Sequence, residues 1–192
     1  MVVLWDSLGT LLDVGPVQER YPGWLDRVLH HGAALTLAGD FAPFDTLAEA
    51  VDPEALALLR KELRPHADVA DALDVLEPAG VGSWIVTNGG RESTARALGG
   101  LVARFEGIVS IDDVRAWKPA RAAYDETLRR AQVAPEDACL VAAHAWDVHA
   151  AVRYGLRAVW VDRLEERWPL PGGPHEPRAS TLAEAARLAS GA

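Results

Sequence analysis

The stretch Val2-Val3-Leu4-Trp5-Asp6-Ser7-Leu8-Gly9-Thr10-Leu11-Leu12 combines a strand signal with a polar end. Residues 2–5 form a continuous apolar run, too short for a helix and rich in β-branched side chains. That suits a strand covered on both faces of a parallel sheet. The run breaks at Asp6, and Gly9-Thr10 is a turn signal. Open α/β sheets place their ligand chemistry outside the carboxyl ends of the strands, so a carboxylate at this point is a candidate reacting group.

Similar apolar runs recur at 83–86, 107–110, 139–143 and 158–161. Helical patterns fill the gaps at 92–98, 120–132, 148–154 and 182–189. Strand and helix alternating at this spacing predict an α/β fold, an open parallel sheet of Rossmann-like topology with helices on both faces. The exception is the long stretch 14–78, which carries no strand signal. Trp24, Val28, Leu29 and Ala33 fall near helical spacing, with Gly39 placed to stop that helix. Asp52-Pro53-Glu54 opens another, with a capping residue, proline at the first helical position and an acid in the first turn. Residues 14–78 are therefore expected to form a small helical cap inserted after the first strand, and 1–13 with 79–192 the core domain. A lid over the carboxyl edge of a sheet excludes water and supplies substrate contacts.

Composition narrows the partners. The 192 residues are 49% hydrophobic and 24% charged, with a formal net charge of −9. No basic block relieves that deficit, so nucleic acid and anionic membrane are poor partners, and a small-molecule substrate is expected. The single cysteine, Cys139, lies in an apolar run and reads as a core thiol in a reducing compartment. The N-terminal run is neither a signal peptide nor a membrane span; a cytoplasmic protein is the expectation.

Four polar groups follow the strands: Asp6; Thr87-Asn88; Lys118-Pro119, beyond the third strand; and His144-Ala145-Trp146-Asp147. A parallel sheet brings such ends to one edge. Each has a plainer reading taken singly. Asp6 could cap turn amides, Asp147 could be a helix N-cap, Lys118 a solvated loop lysine and Trp146 a packing residue. His144 could contact substrate, activate water or satisfy a buried hydrogen bond. His30 and His31 are neighbours and point about 100° apart on a helix, so they are not a metal pair.

In order and spacing, Asp6-Ser7-Leu8-Gly9-Thr10, Thr87-Asn88, Lys118-Pro119 and Trp146-Asp147 resemble the haloacid dehalogenase-like hydrolase superfamily over nearly the whole chain. Within it, the chain is most similar to the L-2-haloacid dehalogenase branch, including Tyr124 six residues after Lys118. The resemblance implies Asp6 as nucleophile, with Lys118, Asp147, Thr87, Asn88 and Thr10 as its catalytic partners. It also implies that His144, Trp146, Tyr124 and Leu8 line the substrate, that no metal cofactor is needed and that a homodimer forms. Leu25 stands where that branch has a cap arginine, and Arg20 or Arg27 lies near enough to substitute; Arg20 is taken as the substrate-binding candidate.

The residues themselves favour the same branch. Superfamily phosphatases carry a second aspartate two places after the nucleophile to protonate a poor leaving group. Leu8 has no proton to give, and halide needs none. The acid that helps hold Mg²⁺ four places before the last aspartate is here Ala143, and Mg²⁺ demands several oxygen ligands. A metal-independent hydrolase using an aspartyl nucleophile, displacing halide through an ester, is thus expected. The alternatives are a Mg²⁺-dependent phosphatase with an altered acid, and a catalytically degenerate binding protein.

Overall fold

The computed structural model describes residues 1–165, 167–171 and 177–191. In chain order its first half comprises β1 (Val2–Asp6), β2 (Leu12–Asp13), α1 (Gly15–Arg20), α2 (Trp24–Leu37), α3 (Phe44–Val51), α4 (Pro53–Glu62), β3 (Arg64–Pro65) and α5 (Val69–Leu76). The second half comprises β4 (Gly82–Thr87), α6 (Arg91–Leu98), β5 (Gly107–Ser110), α7 (Ile111–Val114), α8 (Arg121–Ala131), β6 (Ala138–Ala142), α9 (Ala145–Arg153), β7 (Arg157–Val161), β8 (Arg178–Ala179) and α10 (Leu182–Ser190).

Six strands form one parallel sheet in the order β5-β4-β1-β6-β7-β8. The expected parallel α/β sheet is therefore present, with the short edge strand β8 added. Each strand's side chains alternate between two cores, as a two-residue period requires. Val3, Trp5, Ile85, Val141 and Val159 face one core, which α5 and α10 complete. Val2, Leu4, Val86, Leu140 and Ala142 face the other, with Tyr124 and Leu128 of α8 and Val148 of α9. Trp5, Trp24, Trp117 and Trp160 are fully buried, so much of the tryptophan content is packing. At about 1.5–3 kcal/mol per buried large aliphatic side chain, these two layers hold the sheet edge rigid beneath the site.

The chain leaves and re-enters the sheet region through a two-stranded antiparallel ribbon, Leu12↔Pro65 and Asp13↔Arg64. Helices α1 to α4 lie between the two ribbon strands. The helix sought around Trp24 is α2, with Gly39 beyond its end at φ 79°, the left-handed region glycine tolerates. Asp52 caps α4 as its sequence suggests, its Oδ1 accepting from the Glu54 and Ala55 amides. α5, also within 14–78, packs against α10 and the sheet. Helix α2 docks on the loop before Lys118. There the Trp117 amide donates to Thr36 Oγ1 at 2.9 Å, and its indole N–H donates to the Ala42 carbonyl at 3.0 Å. Gly32 permits this approach, because a Cβ there would run into the Trp117 ring.

Among the described residues, no helix is long and apolar enough to cross a membrane.

Candidate active site

Register builds the site. Pairing Asp6↔Val86 and Trp5↔Val141 sets the end of β1 level with Thr87-Asn88 on one side and Ala142-Ala143 on the other. After Asp6 the backbone turns tightly, with the Thr10, Leu11 and Leu12 amides all donating to the Ser7 carbonyl. Gly9 takes φ 80° in that turn, and a Cβ on it would press against Leu164 and approach His144. The turn returns Thr10 beneath Asp6. Its hydroxyl donates to Asp6 Oδ2 at 2.7 Å and accepts from the Ala143 amide at 2.8 Å, tying β1 to the loop after β6.

Lys118 is the centre of the arrangement. Its ammonium donates to Asp6 Oδ1 at 2.8 Å, Asp147 Oδ2 at 2.6 Å and the Val86 carbonyl at 3.0 Å, with its side chain fully shielded from solvent. It is thus no solvated loop lysine. Asn88 fixes the loop from below, its Oδ1 accepting from the Lys118 amide at 2.8 Å. Thr87 acts locally, its hydroxyl oxygen accepting from the Gly89 amide at 2.9 Å. Asp147 sits in the first turn of α9, yet its carboxylate makes no cap there. It faces Lys118 and accepts a short hydrogen bond from the Tyr124 hydroxyl.

His144 Nδ1 lies 3.0 Å from Asp6 Oδ2, and its ring stacks obliquely on Trp146 at 5.2 Å between centroids. Trp146 in turn stands 5.8 Å from the Lys118 ammonium. Leu8 is buried two places past Asp6. Asp6, Lys118, Asp147, Thr10, His144, Trp146 and Tyr124 therefore converge, with Asn88 and Thr87 supporting them. Arg20 does not join them: it ends α1, exposed, and contacts no site side chain among the described residues. Leu25, at the position of the missing cap arginine, is buried in the apolar core.

Electrostatics follow from burial. Desolvation pushes the Asp6 carboxyl up, but the Lys118 ammonium and the His144 contact outweigh it and hold Asp6 well below the usual carboxylate range. Asp147 moves the other way: burial and the Asp6 charge raise it despite Lys118. Desolvation would lower Lys118, yet its two carboxylate partners raise it. Burial likewise works against protonated His144, and the bond to Asp6 overturns it, raising the imidazole above 6.5. The result is an ionised carboxylate in a shielded cleft, held by three donors. These donor assignments leave little for a cation: the oxygens of Asp6 and Asp147 are committed to Lys118, Thr10, His144 and Tyr124, and Ala143 offers none. Among the described residues, no cluster of three or more His, Cys, Asp or Glu is arranged to hold a metal ion.

Two supporting groups lie beyond the motifs. Arg163 donates to the Thr10 carbonyl at 3.1 Å and to Asp68 Oδ2 at 2.7 Å, and Asp68 also accepts from the Leu182 amide at 2.9 Å. Glu165 accepts from the Ala145 amide at 3.2 Å beside His144. No spacing rule in a single sequence announces either.

The fold and site together are those of a parallel α/β protein whose first strand ends in a buried carboxylate paired with a buried lysine. A family model described as haloacid dehalogenase-like hydrolase matches residues 43–161, and the chain belongs to that family. An (S)-2-haloacid dehalogenase of Pseudomonas sp. (strain CBS-3) is 28% identical, over 96% of this chain and 94% of the relative. Haloacetate dehalogenase H-2 of Moraxella sp. (strain B) is 27% identical, over 84% of this chain and 85% of the relative. Among solved structures, an L-2-haloacid dehalogenase from Xanthobacter autotrophicus with chloropropionic acid covalently bound shares the fold. It superposes with a TM-score of 0.85 at 22% identity, covering 100% of this chain and 99% of that one.

Proposed function

We propose that this hydrolase displaces halide from a small 2-haloacid, with Asp6 as nucleophile and no metal ion. The observation that carries the reading is the Lys118 ammonium bridging two buried carboxylates beside a leucine, a cleft with a strong anion and no acid two places on. An Asp6 oxygen attacks the halogenated carbon as the carbon–halogen bond breaks, and halide leaves with the bonding electrons. Water then attacks the carbonyl carbon of the resulting ester, releasing the hydroxy acid, a proton and the Asp6 carboxylate. Lys118 and Thr10 keep Asp6 ionised and aimed. Asp147, held by Tyr124, holds Lys118. Once Asp6 is esterified and its charge is gone, His144 loses the contact that favours its protonated form and is placed to take a proton from the hydrolytic water, and Trp146 walls the halide side. Helices α1 to α4 serve as the cap over this edge. The buried Cys139 and the acidic composition fit a cytoplasmic protein.

Single turnover in ¹⁸O-water tests the ester route. Label is expected in the Asp6 carboxylate and not in the product, and label in the product alone would overturn it. Halide release should be unchanged by EDTA. Phosphate release from a phosphomonoester that depends on Mg²⁺ would favour the phosphatase alternative instead.

A further inference from the structure

Between insertion helix α4 and core helix α6 lies a cavity of about 200 Å³. Its inner end is Leu8 and Gly89, the residues that follow the two catalytic loops, although Asp6 itself is not among its walls. Phe44, Leu56, Leu59 and Leu63 make one side and Ala97 the other, so the body of the cavity is apolar. Its outer end is not: Arg60, Arg64 and Arg96 all reach it. On a chain with a formal charge of −9, three guanidinium groups at one mouth call for an explanation.

Arg60 has one, an ion pair with Asp45 at 2.8 Å. Arg64 donates only to the Leu63 carbonyl, at 2.8 Å. Among the described residues, neither Arg64 nor Arg96 pairs with a carboxylate. The mouth continues into a polar surface depression that shares Phe44, Asp45, Arg60, Ser93 and Arg96 with the cavity and adds Arg91, Glu92 and Asp112. The gradient runs from solvent, past unpaired guanidinium groups, through an apolar body, to the nucleophile loop. Guanidinium forks match carboxylates bidentately, and small-molecule sites are mostly apolar with a few placed polar groups.

Resting on the dehalogenase reading, we infer that this cavity selects a haloacid with a longer apolar chain and a second, distal carboxylate. The chain fills the space between α4 and α6, and the distal carboxylate meets Arg64 and Arg96. The two-carbon and three-carbon haloacids would leave it empty.

Bromide release from 2-bromopropionate, 2-bromohexanoate and 2-bromoadipate tests the inference, alongside thermal stabilisation by adipate, hexanoate and acetate, which need no chemistry. The expected result is at least a tenfold higher kcat/KM for 2-bromoadipate than for 2-bromohexanoate, a preference lost in Arg64→Gln/Arg96→Gln, with stabilisation by adipate exceeding that by acetate. Ala97→Phe, which fills the cavity from α6, should remove the adipate stabilisation. Equal kcat/KM for all three acids, with no adipate stabilisation, would overturn the inference and leave the dehalogenase reading standing. No bromide from any acid, with adipate stabilisation that needs the two arginines, would sink the dehalogenase reading and keep the site.

Discussion

Replacing Lys118 by methionine removes the one cation shared by two buried carboxylates, and both consequences can be worked from the structure. Asp6 and Asp147 are about as shielded as Lys118 itself, at 5% and 0% side-chain exposure. Losing one partner of such a buried pair costs roughly 3–5 kcal/mol, a large share of a stability that is typically about 5–15 kcal/mol. The sign of the pH dependence contributed by Asp6 changes as well. In the native protein Asp6 is held below its ordinary value of 3.8; it contributes stability above that value that is lost as pH falls through the folded pKa. Without Lys118, desolvation and the Asp147 charge push Asp6 up against its remaining contact with His144, and Asp147, already raised, rises further, so the folded state binds more protons than the wild type does. The variant should therefore gain stability as pH falls from neutrality towards 5, where Asp6 in the wild type contributes no such slope. Urea unfolding at several pH values reads both quantities, and halide release should collapse because the nucleophile loses the cation that keeps it ionised. A variant within about 1 kcal/mol of wild type at neutral pH, with an unchanged pH slope, would show that Lys118 does not hold the two carboxylates.

Further outcomes follow from the same geometry. Tyr124→Phe strips a hydrogen-bond donor from Asp147 and should cost about 1–3 kcal/mol, measured by urea unfolding, with a fall in kcat larger than any change in KM. His144 carries a raised pKa, so its contribution to stability is complete below 6.5 and lost as pH rises through the folded value. Melting curves from pH 6 to 9 should show this alkaline loss in the wild type and not in His144→Asn. Gly32→Ala drives a methyl group into the Trp117 ring and should destabilise by about 1–3 kcal/mol. By shifting the loop that carries Lys118 it should also lower halide release, which an assay at fixed substrate would detect.

Much of the framework was legible before any coordinates. The run 2–5 became β1 (Val2–Asp6), and the run 83–86 became β4 (Gly82–Thr87), because short runs rich in β-branched and aromatic residues and flanked by turn formers favour strands. The cap signals Asp52-Pro53-Glu54 act locally and read directly. Short elements were not legible. β2, β3 and β8 are two residues each, and such pairings exist only because tertiary structure brings a partner alongside. The order Asp6, Thr87-Asn88, Lys118, Asp147 pointed to one sheet edge, since a parallel sheet leaves no other place for strand ends. It did not show Lys118 shared between two carboxylates, or the His144 imidazole resting on Asp6.

Sequence alone carries the alternation of strand and helix, the helical character of the stretch after the first strand and the types of group at the sheet edge. Those follow from local periodicity and from residues that terminate elements. Which charges meet is fixed by the folded chain. Arg163 pairs with Asp68 across 95 positions, Arg20 stays apart, and Arg60, Arg64 and Arg96 gather at a cavity mouth. Such encounters depend on how helices pack over the sheet, and packing is a property of distances that no linear spacing encodes.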